Sequence, residues 1–330
     1  MKRQWETEEL VEHWTLDVED RALLGNKTGA TRLGFAILLK FFRQEGRFPQ
    51  HKNEVPGIVL TFLATQVGVD ASAYMQYAWQ GRTIEYHRAQ IREALGFRES
   101  GIADGEQMQQ WLVEHILPRE HQEERLREQA YQWFRRMHLE APAPNRLTRQ
   151  IRSAAHTFEQ QLYETTMARL PPAAQAALDA LLTIEEKERT EEQEQEMQVV
   201  TLQELRMDPG RVGLATMLQE IAKLRRIREL QLPADLFPGI AHKVLAVYRN
   251  RASVEEPSRL RAHGAAKRFT YLSALCVLRA QEITDGLVDL LIQIVHKIQV
   301  RAEDRVEKEY VTELKRIAGK DAILYGPELR

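Results

Sequence analysis

Apolar residues recur at helical spacing along nearly the whole chain, and the breaks between runs carry glycine, proline or a capping side chain. Glu6 to Trp14 predicts a short amphipathic helix, and Thr15-Leu-Asp17 starts a second that runs to Leu24. From Thr31 to Gln44 the pattern predicts a strongly apolar helix with Leu33, Ile37, Phe41, Leu38 and Phe42 in the core. Arg32, Lys40 and Arg43 are its expected solvent side, and Gly46 ends it. Pro56 opens a helix carrying Val59, Leu60, Leu63 and Val67, which Gly68 stops. Asp70 caps another that brings Tyr74, Tyr77 and Trp79 forward, aromatics that read either as core or as surfaces for stacked bases.

The stretch from Trp79 to Phe97 is punctuated at both ends. Thr83 reads as an N-cap after Gly81, Glu85 suits the positive end of the helix dipole, and Gly96-Phe97 is a left-handed stop with its hydrophobic contact. Ile84, Ile91 and Leu95 share one stripe, with Arg88 and Arg92 a turn apart beside it. Two like charges at that spacing repel by roughly 0.2–0.5 kcal/mol, so an anion is expected between them. It is either Glu85 or an acid from a neighbouring helix, or a nucleic-acid phosphate, for which Arg82 and Thr83 add donors at the helix start.

Further helices are predicted from Gln107 to Leu117 and from Glu120 to Met137, after which Ala141-Pro-Ala-Pro144 reads as a linker. Arg146, Arg149 and Arg152 then recur every third residue at the start of a helix reaching about Leu170. That basic edge serves either interdomain ion pairs or phosphate. Pro171-Pro172 opens the next helix, whose end is an acidic run from Glu185 to Glu196, a solvated helix or spacer. Asp208-Pro-Gly210 is a turn before a helix to about Leu230. Last comes a long helix with Thr284 as N-cap, a stripe of Leu287, Leu291, Ile294, Ile298, Ala302 and Val306, and Gly319 as its end. Alternating strand patterns are scarce. The predicted fold class is therefore all-α: small helical-bundle modules of helix-turn-helix-like spacing over 1–140, 145–200 and 201–330, ending in a long C-terminal helix.

The formal net charge of −2, from 46 Lys and Arg against 48 Asp and Glu, gives no global basic signature. Nucleic-acid binding would have to come from local patches with the acid segregated elsewhere. Cys276 is the only cysteine, which rules out an internal disulfide or a cysteine-built zinc site and fits a cytoplasmic protein. The N-terminus lacks the apolar core of a signal peptide, and the longest apolar run, from Leu287 to Val295, is interrupted by Asp289 and Gln293; no membrane span is expected.

Candidate chemistry is sparse. Gly25-Asn-Lys-Thr-Gly29 lacks the spacing of a phosphate loop and reads as a turn. Glu282, Asp285, Asp289 and His296 allow a carboxylate metal site, but the helical ligand patterns are missing and surface carboxylates explain them as well. No serine or cysteine sits in a nucleophile motif.

A set of ordered motifs completes the reading. Arg32-Leu-Gly-Phe-Ala, Leu39-Lys-Phe-Phe, Gly46-Arg-Phe-Pro49, Gly81-Arg-Thr83, His87-Arg88, Ile91-Arg92 and Leu95-Gly-Phe-Arg98 resemble the N-terminal region of Tn3-family transposases. Ile151-Arg-Ser-Ala154, Asp208-Pro-Gly210, Leu260-Arg-Ala-His263, Glu282-Ile-Thr-Asp285 and Arg301-Ala-Glu303 extend the resemblance along the chain. It implies helical modules that bind double-stranded DNA at the transposon's terminal inverted repeats. Full-length transposase or a second copy of the chain is a further partner. The family's magnesium-dependent Asp-Asp-Glu triad is expected beyond Arg330, leaving this chain without catalytic residues or a cofactor of its own. The resemblance ranks Arg82, Thr83, His87, Arg88 and Arg92 first for DNA contact. Arg146, Arg149 and Arg152 come second and Lys267 with Arg268 third; Arg32 is a further candidate. The alternatives are a helical protein-interaction scaffold and a carboxylate metalloenzyme.

Overall fold

Ten consecutive residues, Leu33–Phe42, are buried in the third helix, and the first half of the molecule is assembled around them. The structure, a computed structural model, describes residues 4–183 and 200–324, with side chains of the last helix described as far as 317. The acidic run expected from Glu185 to Glu196 lies outside the described residues. The chain falls into two compact units, Met1–Gln160 and Gln161–Arg330.

The first unit contains α1 (Thr7–Trp14), α2 (Val18–Leu24), α3 (Gly29–Glu45), α4 (Gly57–Val67), α5 (Arg82–Ala94), α6 (Ile102–Trp111), α7 (Glu123–Arg136) and the start of α8 (Pro144–Arg169). Short 3-10 turns cover Lys52–Glu54 and Ala71–Gln76, and a π turn covers Leu112–Ile116. Around α3 pack Trp14, Leu24, Val59, Leu63, Tyr74, Tyr77, Ile84 and Ile91. A glycine is required at Gly34, because a Cβ there would overlap the Tyr77 ring. Lys40, expected in solvent, is 6% exposed. It donates to the Thr15 carbonyl at 2.8 Å and pairs with Asp20 at 3.2 Å, while Arg43 reaches the other Asp20 oxygen at 3.0 Å. Helical periodicity put Lys40 on the outer side of α3; α2 covers that side and supplies the acid.

Two two-residue strands, β1 (Arg98–Glu99) and β2 (Leu139–Glu140), form a parallel pair that the sequence pattern did not suggest. The Ala141-Pro-Ala-Pro144 stretch, expected as a linker, is tied into this unit. Ala141 is buried, its N–H donates to the Gly46 carbonyl at 3.0 Å, and Pro144 begins α8. Leu147, Ile151, Ala154 and Phe158 bury one side of α8, and the edge of the Phe158 ring meets His121. Gly105 leaves room for Gln150, so α6 and α8 approach closely.

The second unit contains the end of α8, α9 (Pro172–Thr183), α10 (Leu202–Arg206), α11 (Leu214–Glu229), α12 (His242–Val254), α13 (Pro257–Ala262) and α14 (Ala265–Leu324). The early turns of α14, Phe269 to Leu278, are almost wholly buried against α11, α12 and α9. Thr284, expected to cap this helix, lies inside it, its hydroxyl satisfied by the Ala280 carbonyl at 2.7 Å. The helix also continues through Gly319. Burial of the turns on either side of it outweighs the capping preference of Thr284, and a single glycine inside a helix costs only about 1 kcal/mol relative to alanine. Arg279, 3% exposed, gathers Asp208, Glu220 and Glu282, and Lys223 pairs with Glu220 at 2.6 Å. No helix among the described residues is long and apolar enough to cross a membrane.

Candidate nucleic-acid interface

Helix α5 holds five of the expected contact residues, and the structure distributes them around its axis. Ile84, His87 and Ile91 face the core, so at 100° per residue the solvent side is the line of Arg82, Tyr86, Ala89 and Glu93. Arg82 and Thr83 are exposed at the helix start. The cap itself is Gly81, at φ 94°, and Thr83 stands inside the first turn. Glycine takes this position because its backbone lies in the left-handed region.

His87 is a core residue, 4% exposed. Its Nδ1 lies 2.7 Å from the Tyr77 hydroxyl, its ring stacks on Tyr77 and it meets Phe35 edge-on. Burial, reinforced by the Lys27 charge, lowers its pKa to about 4. Arg88 is half-buried, lying over the Phe48 ring and donating to the Pro49 carbonyl at 3.4 Å. Arg92 pairs with Glu140 at 2.6 Å and tethers α5 to β2. Burial raises the Glu140 pKa, against the pull of the Arg92 guanidinium. The anion sought between Arg88 and Arg92 is thus, for Arg92, an acid of the same molecule. Moreover, the outward side of α5 carries two acids, Glu85 and Glu93.

Three other candidates are also drawn inward. Arg32 is half-buried with its guanidinium on the Lys27 carbonyl. Lys267 lies over the Tyr271 ring. Arg268 forks onto Asp179 at 2.8 and 3.3 Å and also donates to the His263 carbonyl, joining α14 to α9.

Helix α8 differs. Arg146, Arg149 and Arg152 are all exposed. Arg146 and Arg149 have no ion pair among the described residues, and Arg152, its side chain 71% exposed, has only a long 3.9 Å contact with Glu123. No acid occurs between Glu140 and Glu159. The outward side of the first four turns is therefore built of arginine and other polar residues, Asn145, Ser153, His156 and Thr157 among them. Asn145 and His156 lie on this side as well, although the spacing of the arginines does not point to them. The acid-free interval around them was the signal available.

Such a side can attract a polyanion and offer forked donors to it. Among the described residues no group of three or more His, Cys, Asp or Glu could hold a metal ion. Glu282, from the candidate carboxylate set, is engaged by Arg249 and Arg279.

A family model described as a domain of unknown function, DUF4158, matches residues 1–154, nearly the whole first unit. The transposase for transposon Tn3926 of Escherichia coli is 23% identical over 323 residues, covering 97% of this chain and 31% of that protein. The transposase for transposon Tn501 of Pseudomonas aeruginosa is 24% identical over 314 residues, covering 95% and 31%. That for transposon Tn21 of Escherichia coli is 24% identical over 324 residues, covering 97% and 31%. The chain spans about a third of the length of the relatives it matches. With the ordered motifs and the matches running along almost all of its residues, this chain is similar to Tn3-family transposases over about a third of their length.

Proposed function

We propose that this chain binds double-stranded DNA at the terminal inverted repeats of a transposon, with the exposed side of α8 as its principal contact. The observation that carries the reading is the acid-free interval between Glu140 and Glu159, in which Arg146, Arg149 and Arg152 all reach solvent. Elsewhere in the molecule most of the candidate arginines are matched by an acid or a carbonyl. Here the charge is left over, and a duplex supplies one negative charge per about 1.7 Å of axis. Similarity to transposases along almost the whole chain supports the transposase context. In this reading the matched third grips the ends, and strand chemistry belongs to the rest of the relatives' length.

The test is a salt titration of the full chain with duplexes carrying terminal-repeat sequence. Log affinity should fall steeply with log salt, by about 0.9 for each phosphate neutralised. Replacing Arg146, Arg149 and Arg152 together with alanine should weaken binding at least about tenfold and flatten the slope by at least about 0.9, the share of one phosphate. A salt-insensitive affinity, or a triple variant that binds like the parent, removes the reading.

A second reading, protein contact through α14, is favoured by a specific observation. From Val295 to Ile317 every side chain is exposed, yet Val295, Ile298, Val306, Leu314 and Ile317 are large and apolar. The partner we assign is a second copy of this chain. Five basic and five acidic residues alternate between Arg301 and Arg316, so two such helices meet without net repulsion. Light scattering should then show dimers at tens of micromolar protein, by rough expectation for an exposed stripe of this size, and Ile298→Glu with Leu314→Glu should return monomers. A parent chain that stays monomeric at every concentration rules this contact out.

A further inference from the structure

We infer that α8 is a base-reading helix: Asn145, Arg149, Arg152 and His156 form the line that faces base edges in the major groove of DNA, and Arg146 on its flank contacts phosphate. This rests on the DNA-binding reading above and goes beyond it, because charge alone explains affinity for any duplex and says nothing of sequence.

The geometry begins with the buried side. Leu147, Ile151, Ala154 and Phe158 are all at most 5% exposed and define the direction in which α8 faces its own core. At 100° per residue, the four residues spaced 4, 3 and 4 apart from Asn145 to His156 lie within a sector of about 60°, directly opposite that side. They form the ridge of the helix. Arg146, Ser153 and Thr157 lie about 90° further round, where a helix seated in a groove meets the sugar-phosphate wall. From Asn145 to His156 the ridge is about 16 Å long, the rise of about five base pairs.

The residue types on the ridge suit the task. Asparagine pairs with adenine through two hydrogen bonds, and arginine with guanine through N7 and O6. Histidine offers a donor and an acceptor on one ring. Every cation in this interval is arginine, whose planar fork can distinguish bases, whereas lysine acts as a point charge. The side chains of Asn145, Arg149 and His156 have no hydrogen bond or ion pair among the described residues, so docking breaks nothing to free them. The frame beneath is rigid. The Ala141 N–H to Gly46 carbonyl bond, the Arg92–Glu140 pair and the close approach of Gln150 to Gly105 fix the entry and angle of the helix.

The experiment is selection from a library of duplexes with a randomised 20-base-pair core, using the full chain and the variants Asn145→Ala, His156→Ala and Arg146→Ala. Circular dichroism and thermal melting confirm that each variant folds. The parent should enrich a defined sequence. Asn145→Ala and His156→Ala should each relax the preference at one or two adjacent base pairs, reducing the ratio of affinities for enriched over unrelated duplex by about 5- to 100-fold. Arg146→Ala should weaken binding to all sequences alike. A parent that retains DNA but enriches no sequence overturns base reading and leaves DNA binding intact. So do ridge variants that lose affinity equally for every duplex. A parent that retains no DNA overturns the underlying reading itself.

Discussion

At the scale of single residues, the fate of each cation is decided by what stands next to it. Lys40 looks like a surface lysine by its place in the α3 pattern, yet Asp20 and the Thr15 carbonyl hold it inside. His87 lies in a charged stretch with Arg88 and is nonetheless packed between Phe35 and Tyr77. Its pKa, lowered from 6.5 to about 4 by burial first and the Lys27 charge second, makes the folded state intolerant of its proton. Since the folded value lies below the unfolded one, the contribution of neutral His87 is fully present above pH 6.5. It is lost progressively as pH falls toward about 4. The urea midpoint of the parent should therefore drop through this window, with a slope of at most about 1.4 kcal/mol per pH unit from this one proton. A His87→Asn variant should be weaker at neutral pH but flatter across the same window. An equal slope in both proteins would assign the acid sensitivity to other groups.

At the scale of elements, α5 and α8 carry similar numbers of arginines and use them in opposite ways. Two of the three in α5 fasten the helix to its surroundings, Arg88 to the turn at Phe48-Pro49 and Arg92 to Glu140, while Arg82 is exposed at its start. Replacing Arg92 by alanine leaves a largely buried carboxylate without its hydrogen-bonded partner, at a cost of about 2 kcal/mol. That variant should melt at lower temperature and, at a temperature where it is folded, bind duplex DNA within about twofold of the parent. A loss of DNA affinity comparable to that of the α8 triple variant would restore α5 as the main contact. Periodicity exposes the distinction only in part. It shows that residues 82, 83, 87, 88 and 92 cannot all share one side, but not that Glu140, distant in sequence, is waiting for Arg92. For α8 the relevant signal, absence of acid, was present in the sequence all along.

At the scale of the whole molecule, a net charge of −2 would argue against a polyanionic partner if the charges were evenly spread. They are not: the first four turns of α8 are free of acid, whereas the exposed end of α14 is balanced. If the chain grips transposon ends, an excess of it should compete with a full-length transposase for them and lower transposition frequency in a mating-out assay. The Arg146→Ala, Arg149→Ala, Arg152→Ala variant should compete far less; an unaltered frequency with both proteins would show that the ends are not occupied. The sequence by itself determined the helical class, most helix positions, the buried stripe of α3 and the likeness to Tn3-family transposases, because these depend on local periodicity and on ordered short motifs. Only the tertiary structure decided which cations are spent on internal acids and carbonyls and which remain available. That depends on partners tens of residues away in the chain, Asp20 for Lys40, Glu140 for Arg92 and Asp179 for Arg268, and no periodicity encodes those encounters.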